Sequence, residues 1–198
     1  MFAYIKGTLT HKEATHAIIE TAGVGYHIKI SLNTYSMLKS VGEEALLHTY
    51  LQIQENAHNL FGFSEPSEKK LFLELISVSG VGPNTAIVML SSVSPIEIQE
   101  AIVNEDVKML QGVKGIGAKT AQRVILELKD KIKKDFMTTE GKVVGNVPHY
   151  RSVKEEAITA LVVLGIAKNV AEKNVEGIIK LKGGDVTIEE VIKLALKM

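Results

Sequence analysis

The spacing of hydrophobic and polar positions changes period along the chain. In residues 26–30, "YHIKI", Tyr26, Ile28 and Ile30 fall on one face and His27 and Lys29 on the other. Residues 46–54, "LLHTYLQIQ", place Leu47, Leu51 and Ile53 on one side and His48, Gln52 and Gln54 on the other. A period of two is the strand signal. "AGVG" at 22–25 marks a tight turn between β runs. Several short strands with glycine punctuation predict a small barrel or sandwich over residues 1–63.

From residue 64 the period lengthens. Leu71, Phe72, Leu75 and Ile76 form a helical stripe ahead of "SVSGVGPNTA". Ser94-Pro95-Ile96-Glu97 reads as a capping box with proline at the first helical position. A helix is expected from Ala118 through "KTAQRVILELKDKIKK", burying Ala121, Val124, Ile125 and Leu128. Residues 64–136 are therefore read as helical. Residues 137–150, "MTTEGKVVGNVPHY", lack periodicity and read as a flexible linker. Residues 151–198 predict about three helices. Ser152 with Glu155 and Thr187 with Glu190 suggest capping boxes, and Gly165 and Gly183-Gly184 suggest the breaks.

An internal repeat lies in the helical middle. "LISVSGVGPNTA" (75–86) aligns with "LQGVKGIGAKTA" (110–121) at an offset of 35. Leu75/Leu110, Val78/Val113, Gly80/Gly115, Gly82/Gly117, Thr85/Thr120 and Ala86/Ala121 are identical, and Val81 matches Ile116 in kind. The second copy, with Gly112 before it, is one residue too long for a Walker-type phosphate loop. Such a loop follows a buried strand, whereas "KKLFLELISV" and "NEDVKMLQGV" have helical spacing. Asn84 stands where the second copy has Lys119, so the glycines rather than the lysine are shared. A Gly-hydrophobic-Gly turn lets backbone approach a ligand closely, and the following helix starts with unpaired amides that suit a phosphate oxygen. Two such turns suit successive phosphates of a nucleic-acid backbone, which position a protein without reading bases.

Charge sharpens this picture. The 198 residues carry 23 Lys/Arg and 23 Asp/Glu, so the net charge is zero. Residues 64–107 hold Lys69 and Lys70 against seven acids, a net of −5. Residues 108–134 hold eight basic residues against Glu127 and Asp130, a net of +6. A basic block beside an acidic one gives one face for an anion and one kept away from it. For Lys129–Lys134 alone, a solvated helix end is the better reading. The 45% hydrophobic composition is that of an ordinary globular protein. There is no cysteine, hence no disulfide or thiolate metal site. Five of the six histidines fall at 11, 16, 27, 48 and 58, with no helical i, i+4 pair; surface or strand-edge positions are expected, and no metal site or cofactor is read. No apolar run approaches the ~18 residues of a membrane span, and the start lacks a signal-peptide pattern, so a cytoplasmic location is expected.

The paired turns resemble helix-hairpin-helix motifs, which bind DNA without sequence specificity. The start "MFAYIKGTL", "AGVGY" (22–26), "ENAHNLFGF" (55–63), the two hairpins and the C-terminal helical unit follow one another as in the RuvA family of bacterial Holliday junction branch migration proteins. The resemblance spans essentially the whole chain. It implies an α+β multidomain fold: an oligonucleotide-binding (OB) type β-barrel over 1–63, a tandem helix-hairpin-helix domain over 64–136, and a three-helix motor-binding domain over 151–198. It implies a homotetramer, with tetramer or octamer left open, that holds a four-way DNA junction open during recombination and repair. It implies recruitment of the hexameric ATPase RuvB, so that ATP hydrolysis resides in the partner, and leaves room for the resolvase RuvC.

Under this reading Gly80, Gly82, Gly115 and Gly117 present amides to phosphates. Lys114, Lys119, Thr120 and Arg123 add charge and hydrogen bonds at the second hairpin, and Asn84 and Thr85 do so at the first. Helix capping is the simpler role for the two threonines. The family's central acidic pin, usually two adjacent carboxylates before "AH", is here Glu55-Asn56, with one acid replaced by an amide. Ala118 stands where many relatives place a basic residue. Leu161, Leu164 and Ile166 are candidates for partner binding, although most apolar residues of "AITALVVLGIAKNVAEKNVEGIIK" must form core.

Two other functions fit parts of the chain. Helix-hairpin-helix DNA glycosylases share a G-hydrophobic-G-X-K-T-A run, and Lys119 is then a sugar-attacking nucleophile. Against this, Asp135 follows "LKDKIKK" with no Gly/Pro-rich catalytic loop. A pure interaction scaffold that does not bind DNA is the third.

Overall fold

The computed structural model describes residues 2–139, 149–182 and 186–197, with side chains omitted for 134–139 and 149–152. The predicted linker lies mostly outside the described residues, as do Gly183 and Gly184. The chain forms two compact units, Met1–Met137 and Thr138–Met198.

The first unit opens with five strands: β1 (Tyr4–Lys12), β2 (His16–Thr21), β3 (Val24–Ile30), β4 (Glu44–Gln54) and β5 (Ala57–Phe63). They close into a barrel in the order β1-β2-β3-β5-β4, antiparallel except for the β3–β5 pair. This is the Greek-key arrangement of an OB-type barrel. The alternation of "YHIKI" holds: Ile28 and Ile30 are buried while His27 faces out. Thr21 pairs with Val24 across the two-residue turn Ala22-Gly23, where both residues have positive φ (51° and 79°). That turn matches the twist of its strands. Inside the barrel, a Cβ on Gly62 would lie 2.5 Å from Ile28 Cγ2, so glycine lets the walls meet. Ile53 departs from the expected buried face and is 68% exposed. Strand β4 runs on beyond the barrel wall there, pairing only with β5, so the side chain has no opposing layer.

Between β3 and β4 sits α1 (Leu32–Met37). Helices α2 (Pro66–Ser77), α3 (Pro83–Ser92), α4 (Pro95–Val103), α5 (Val107–Gln111) and α6 (Ala118–Thr139) follow the barrel. Barrel and helices share an aromatic seam of Tyr50, Phe61, Phe63 and Phe72, with ring centroids 4.8–6.3 Å apart. The expected boundary between residues 63 and 64 thus falls inside one compact unit. A buried carboxylate also joins the two parts. Ser31 Oγ donates to Glu68 on α2, Thr34 Oγ1 donates to its other oxygen at 2.8 Å, and the Ser64 amide donates to Thr34 Oγ1 at 3.0 Å. A buried acidic side chain is tolerable only with partners of this kind.

Ser94 and Glu97 form the predicted reciprocal capping box at α4. Ala121, Val124, Ile125 and Leu128 are buried on α6, as their spacing requires. The second unit contains α7 (His149–Val163), α8 (Lys168–Lys182) and α9 (Ile188–Ala195). Thr187 caps α9 by accepting from the Glu190 amide at 3.3 Å. Ser152 does not sit at a helix start, because α7 already begins at His149; "HYR" contains no breaker to stop the helix extending back. Gly165 ends α7 with φ +93° and a Schellman pair of bonds, Gly165 N–H to Val162 O and Ile166 N–H to Leu161 O, both 3.0 Å.

Candidate nucleic-acid interface

The repeat read from sequence is a repeat of backbone geometry. In the first copy Val78 N–H donates to Leu75 O (3.1 Å) and Val81 N–H to Val78 O (3.0 Å). In the second, Val113 N–H donates to Leu110 O (3.3 Å) and Ile116 N–H to Val113 O (3.1 Å). Gly80 and Gly115 turn the chain with φ of +95° and +94°. Val81 and Ile116, between the glycines, are buried and pin each turn to the core. The carbonyls of Gly82 and Gly117 then accept the first helical bonds, from Ala86 and Ala121, both at 2.9 Å.

The four glycines have two different physical reasons. Gly80 and Gly115 occupy a conformation that side chains resist. Gly82 and Gly117 do not have positive φ, and a Cβ on either would meet nothing within 4 Å. Neither backbone conformation nor internal packing demands glycine at these two places. Both are exposed, and each immediately precedes a helix, where first-turn amides lack intrahelical partners. No side chain caps α3.

The two turns are neighbours in space. A Cβ on Gly80 would lie 3.7 Å from Thr120 Oγ1, and Arg123 Nη1 donates to Ser79 O at 3.1 Å. Arg123 therefore ties the second hairpin to the first, and it also approaches Glu127 at 4.0 Å. A guanidinium has five N–H donors, so these contacts leave donors over. Lys114, Lys119 and Asn84 are exposed beside the glycines, and Thr85 and Thr120 are half-buried. Both threonines occupy the third helical position, where a side chain is not the cap.

Further along α6 the basic residues are differently engaged. Lys129 pairs with Glu105, whose carboxyl is held below its ordinary value first by that hydrogen bond and then by the lysine charge. Lys129 is thus engaged with an acid of the same unit. Glu55 and Asn56 form the exposed turn between β4 and β5, closed by the Gln54–Ala57 pair.

In the second unit the partner-binding candidates separate. Leu161 is completely buried in the cluster that holds Val153, Ala157, Ala171 and Val175, so its role is core packing and not, as expected, partner binding. Leu164 is 60% exposed, and Ile166 is half-buried against the core. Val163, not singled out from sequence, is 80% exposed beside Leu164. The run "LVVLGI" contains more apolar residues than one buried face can hold, and this excess was the available signal.

Five histidines lie at exposed or half-buried strand positions, as expected, but three of them also come together. His11 and His16 stack at 5.3 Å and His16 and His27 at 4.5 Å, with Glu13 between the first two. A search for helical i, i+4 pairs misses this group, because the β1–β2 and β2–β3 pairings bring the residues together. Burial, and next the neighbouring His16, hold His27 below its ordinary value. Among the described residues no single helix is long and apolar enough to cross a membrane.

Comparison with known proteins follows the same three parts. Residues 1–62 match the RuvA N-terminal domain, 72–130 the SAM-like helix-hairpin-helix tandem, and 152–198 the RuvA C-terminal domain. The chain is 54% identical over 200 residues to the Holliday junction branch migration complex subunit RuvA of Cytophaga hutchinsonii, with both chains covered completely. The proteins of that name from Amoebophilus asiaticus and Acetivibrio thermocellus are 46% and 44% identical, again across the whole of this chain and 100% and 98% of theirs. An OB-type barrel, two hairpins of matching geometry and full-length identity at this level lead to one conclusion: the chain belongs to the RuvA family.

Proposed function

We propose that this protein binds four-way DNA junctions without sequence specificity and serves as the scaffold on which an ATP-driven motor of the RuvB type moves the branch point. The observation that carries the reading is the exposed pair Gly82 and Gly117. Each lacks a side chain where no part of the protein needs the space. A ligand approaching the backbone accounts for both. Phosphate oxygens suit the helix-start amides, and Lys114 and Lys119 add charge at the second hairpin. Arg123 acts there both as a tie to Ser79 and, through its remaining donors, toward phosphate. Asn84, Thr85 and Thr120 supply polar contacts.

Membership of the family supports a tetrameric assembly. Four copies around the branch point bring four Glu55-Asn56 turns to the centre, where negative charge repels continuous duplex. In this chain the pin carries one carboxylate rather than two. Leu164 and the adjoining Val163 offer the exposed apolar surface for the motor, with Ile166 at its edge. Lys119 is a phosphate contact rather than a lyase nucleophile, and the ATPase belongs to the partner.

An electrophoretic shift with a four-way junction and a duplex of equal length tests this proposal. Tight, junction-selective binding is expected; equal weak binding to both would overturn it. Incubation with abasic-site DNA and borohydride separates the enzyme reading, which requires a trapped Lys119 adduct.

A further inference from the structure

The barrel carries a second cluster of chemistry-bearing side chains, and one of them, His16, lines a pocket shared with Asn84 of α3. We propose that His11, Glu13 and His16 form a binding site for a zinc-type divalent transition-metal ion. Their donor atoms all lie within 4.8 Å of one another. His11 Nε2 is 3.0 Å from Glu13 Oε1, and His16 Nδ1 is 3.7 Å from Glu13 Oε2. Tetrahedral zinc with bonds of about 2.0–2.1 Å sets its ligands roughly 3.3–3.4 Å apart. One separation falls below that value and the other, to the second carboxylate oxygen, above it, so adjustment by His11 and Glu13 completes the set around a more restrained His16.

The backbone holds the set in place. His11 lies near the end of β1 and His16 opens β2. The three-residue connection between the strands is fixed at both ends: Glu13 N–H donates to His16 O at 2.9 Å, and Ile30 N–H donates to Thr15 O at 3.1 Å. A site on strand ends with a braced turn loses little freedom when an ion binds. His27 stacks on His16 and limits its ring rotation.

The charges nearby favour a cation more than the sequence suggests. Lys12 lies between two of the ligands in the chain, but its ammonium turns away to donate to Leu38 O at 2.6 Å and to sit over the Tyr35 ring. Lys29, opposite His16 in the sheet, directs its ammonium over the Phe61 ring. A metal takes imidazole in its neutral form and a carboxylate in its ionised form, so one acid among the three ligands offsets part of a divalent charge. Imidazole donors select zinc, copper, nickel or cobalt over magnesium or calcium, which prefer oxygen. Three protein donors leave a fourth position for water. The proposal does not depend on junction binding.

Isothermal titration of zinc chloride into the untagged full-length protein tests it. One ion per chain is expected, with affinity weakened at least about tenfold in His11→Gln, His16→Gln and Glu13→Gln. His58→Gln, at an exposed position elsewhere on the barrel, should bind as the parent does. Cobalt(II) should give visible ligand-field bands in the parent that vanish in the three variants. Zinc should raise the melting temperature of the parent but not of Glu13→Gln, a surface change that leaves the barrel core intact. No saturable uptake, or undiminished uptake in the three variants, would overturn the proposal.

Discussion

The two classes of glycine in the hairpins separate folding from binding. Gly82 has φ −88° and ψ 167°, a conformation open to any residue, and an alanine Cβ there meets nothing. The Gly82→Ala change removes unfolded-state freedom, a stabilisation of about 0.4–1 kcal/mol. It also exchanges a tolerated helix cap for a poor one, which costs a few tenths up to about 1 kcal/mol. These contributions nearly cancel, so Gly82→Ala and Gly117→Ala should each change stability by less than about 1 kcal/mol. Gly80→Ala and Gly115→Ala instead force a side chain to φ near +95°, which costs about 1–3 kcal/mol. Junction affinity should respond in another order. A methyl group on Gly82 or Gly117 stands between the backbone and the phosphate and removes at least one charge-assisted hydrogen bond, about 1.5–3 kcal/mol. At about 1.4 kcal/mol per factor of ten, that weakens binding roughly 10- to 150-fold. Urea denaturation measures the first quantity and fluorescence anisotropy with a labelled junction the second. If Gly82→Ala and Gly117→Ala bind as tightly as the parent, or lose affinity only as they lose stability, the backbone-contact reasoning fails.

Lys119→Ala should weaken junction binding and reduce the slope of log affinity against log salt by about 0.9 for each phosphate released per copy. An unchanged slope would remove Lys119 from the interface. Asn56→Asp should raise the ratio of junction to duplex affinity by restoring a second carboxylate to the pin, and an unchanged ratio would deny the pin its role. The Ser94 hydroxyl, then its amide, hold the Glu97 carboxyl below its ordinary value of 4.5. A depressed carboxylate contributes stability above its unfolded value, and the contribution is lost as the pH falls through the folded value. Ser94→Ala should therefore lower the melting temperature more at neutral pH than at pH about 3, and equal losses would contradict the capping account. In the second unit Leu161→Ala should cost about 2–5 kcal/mol of stability, while Leu164→Ala should change it by less than about 0.5 kcal/mol. Thermal melts decide between them.

The helical middle was legible because its information is local. Capping at Ser94 and the buried stripe of Ala121, Val124, Ile125 and Leu128 follow from spacing alone. The paired glycine turns were legible because they occur twice. What the sequence hid is set by long-range packing. Phe61 and Phe63 lie on β5, yet they pack on Phe72 of α2 and join barrel to helices. Ile53 keeps its period but outruns the wall that would bury it. Leu161 and Leu164 are three residues apart in one apolar run, and only the fold sends one inward and the other out. His11, His16 and His27 meet through strand pairing, which no short-range spacing rule registers. Of the proposed DNA contacts, Arg123 changed most: its hydrogen bond to Ser79 gives it a structural partner that charge counting did not suggest.

Phosphate ethylation interference on a four-way junction tests the central claim most directly. The claim is that the two hairpins hold the sugar–phosphate backbone through helix-start amides and nearby cations, without reading bases. It predicts strong interference at a small set of phosphates repeated on each arm, with no interference from guanine methylation in the grooves. Uniform tolerance of ethylated phosphates, or interference confined to base edges, would contradict it.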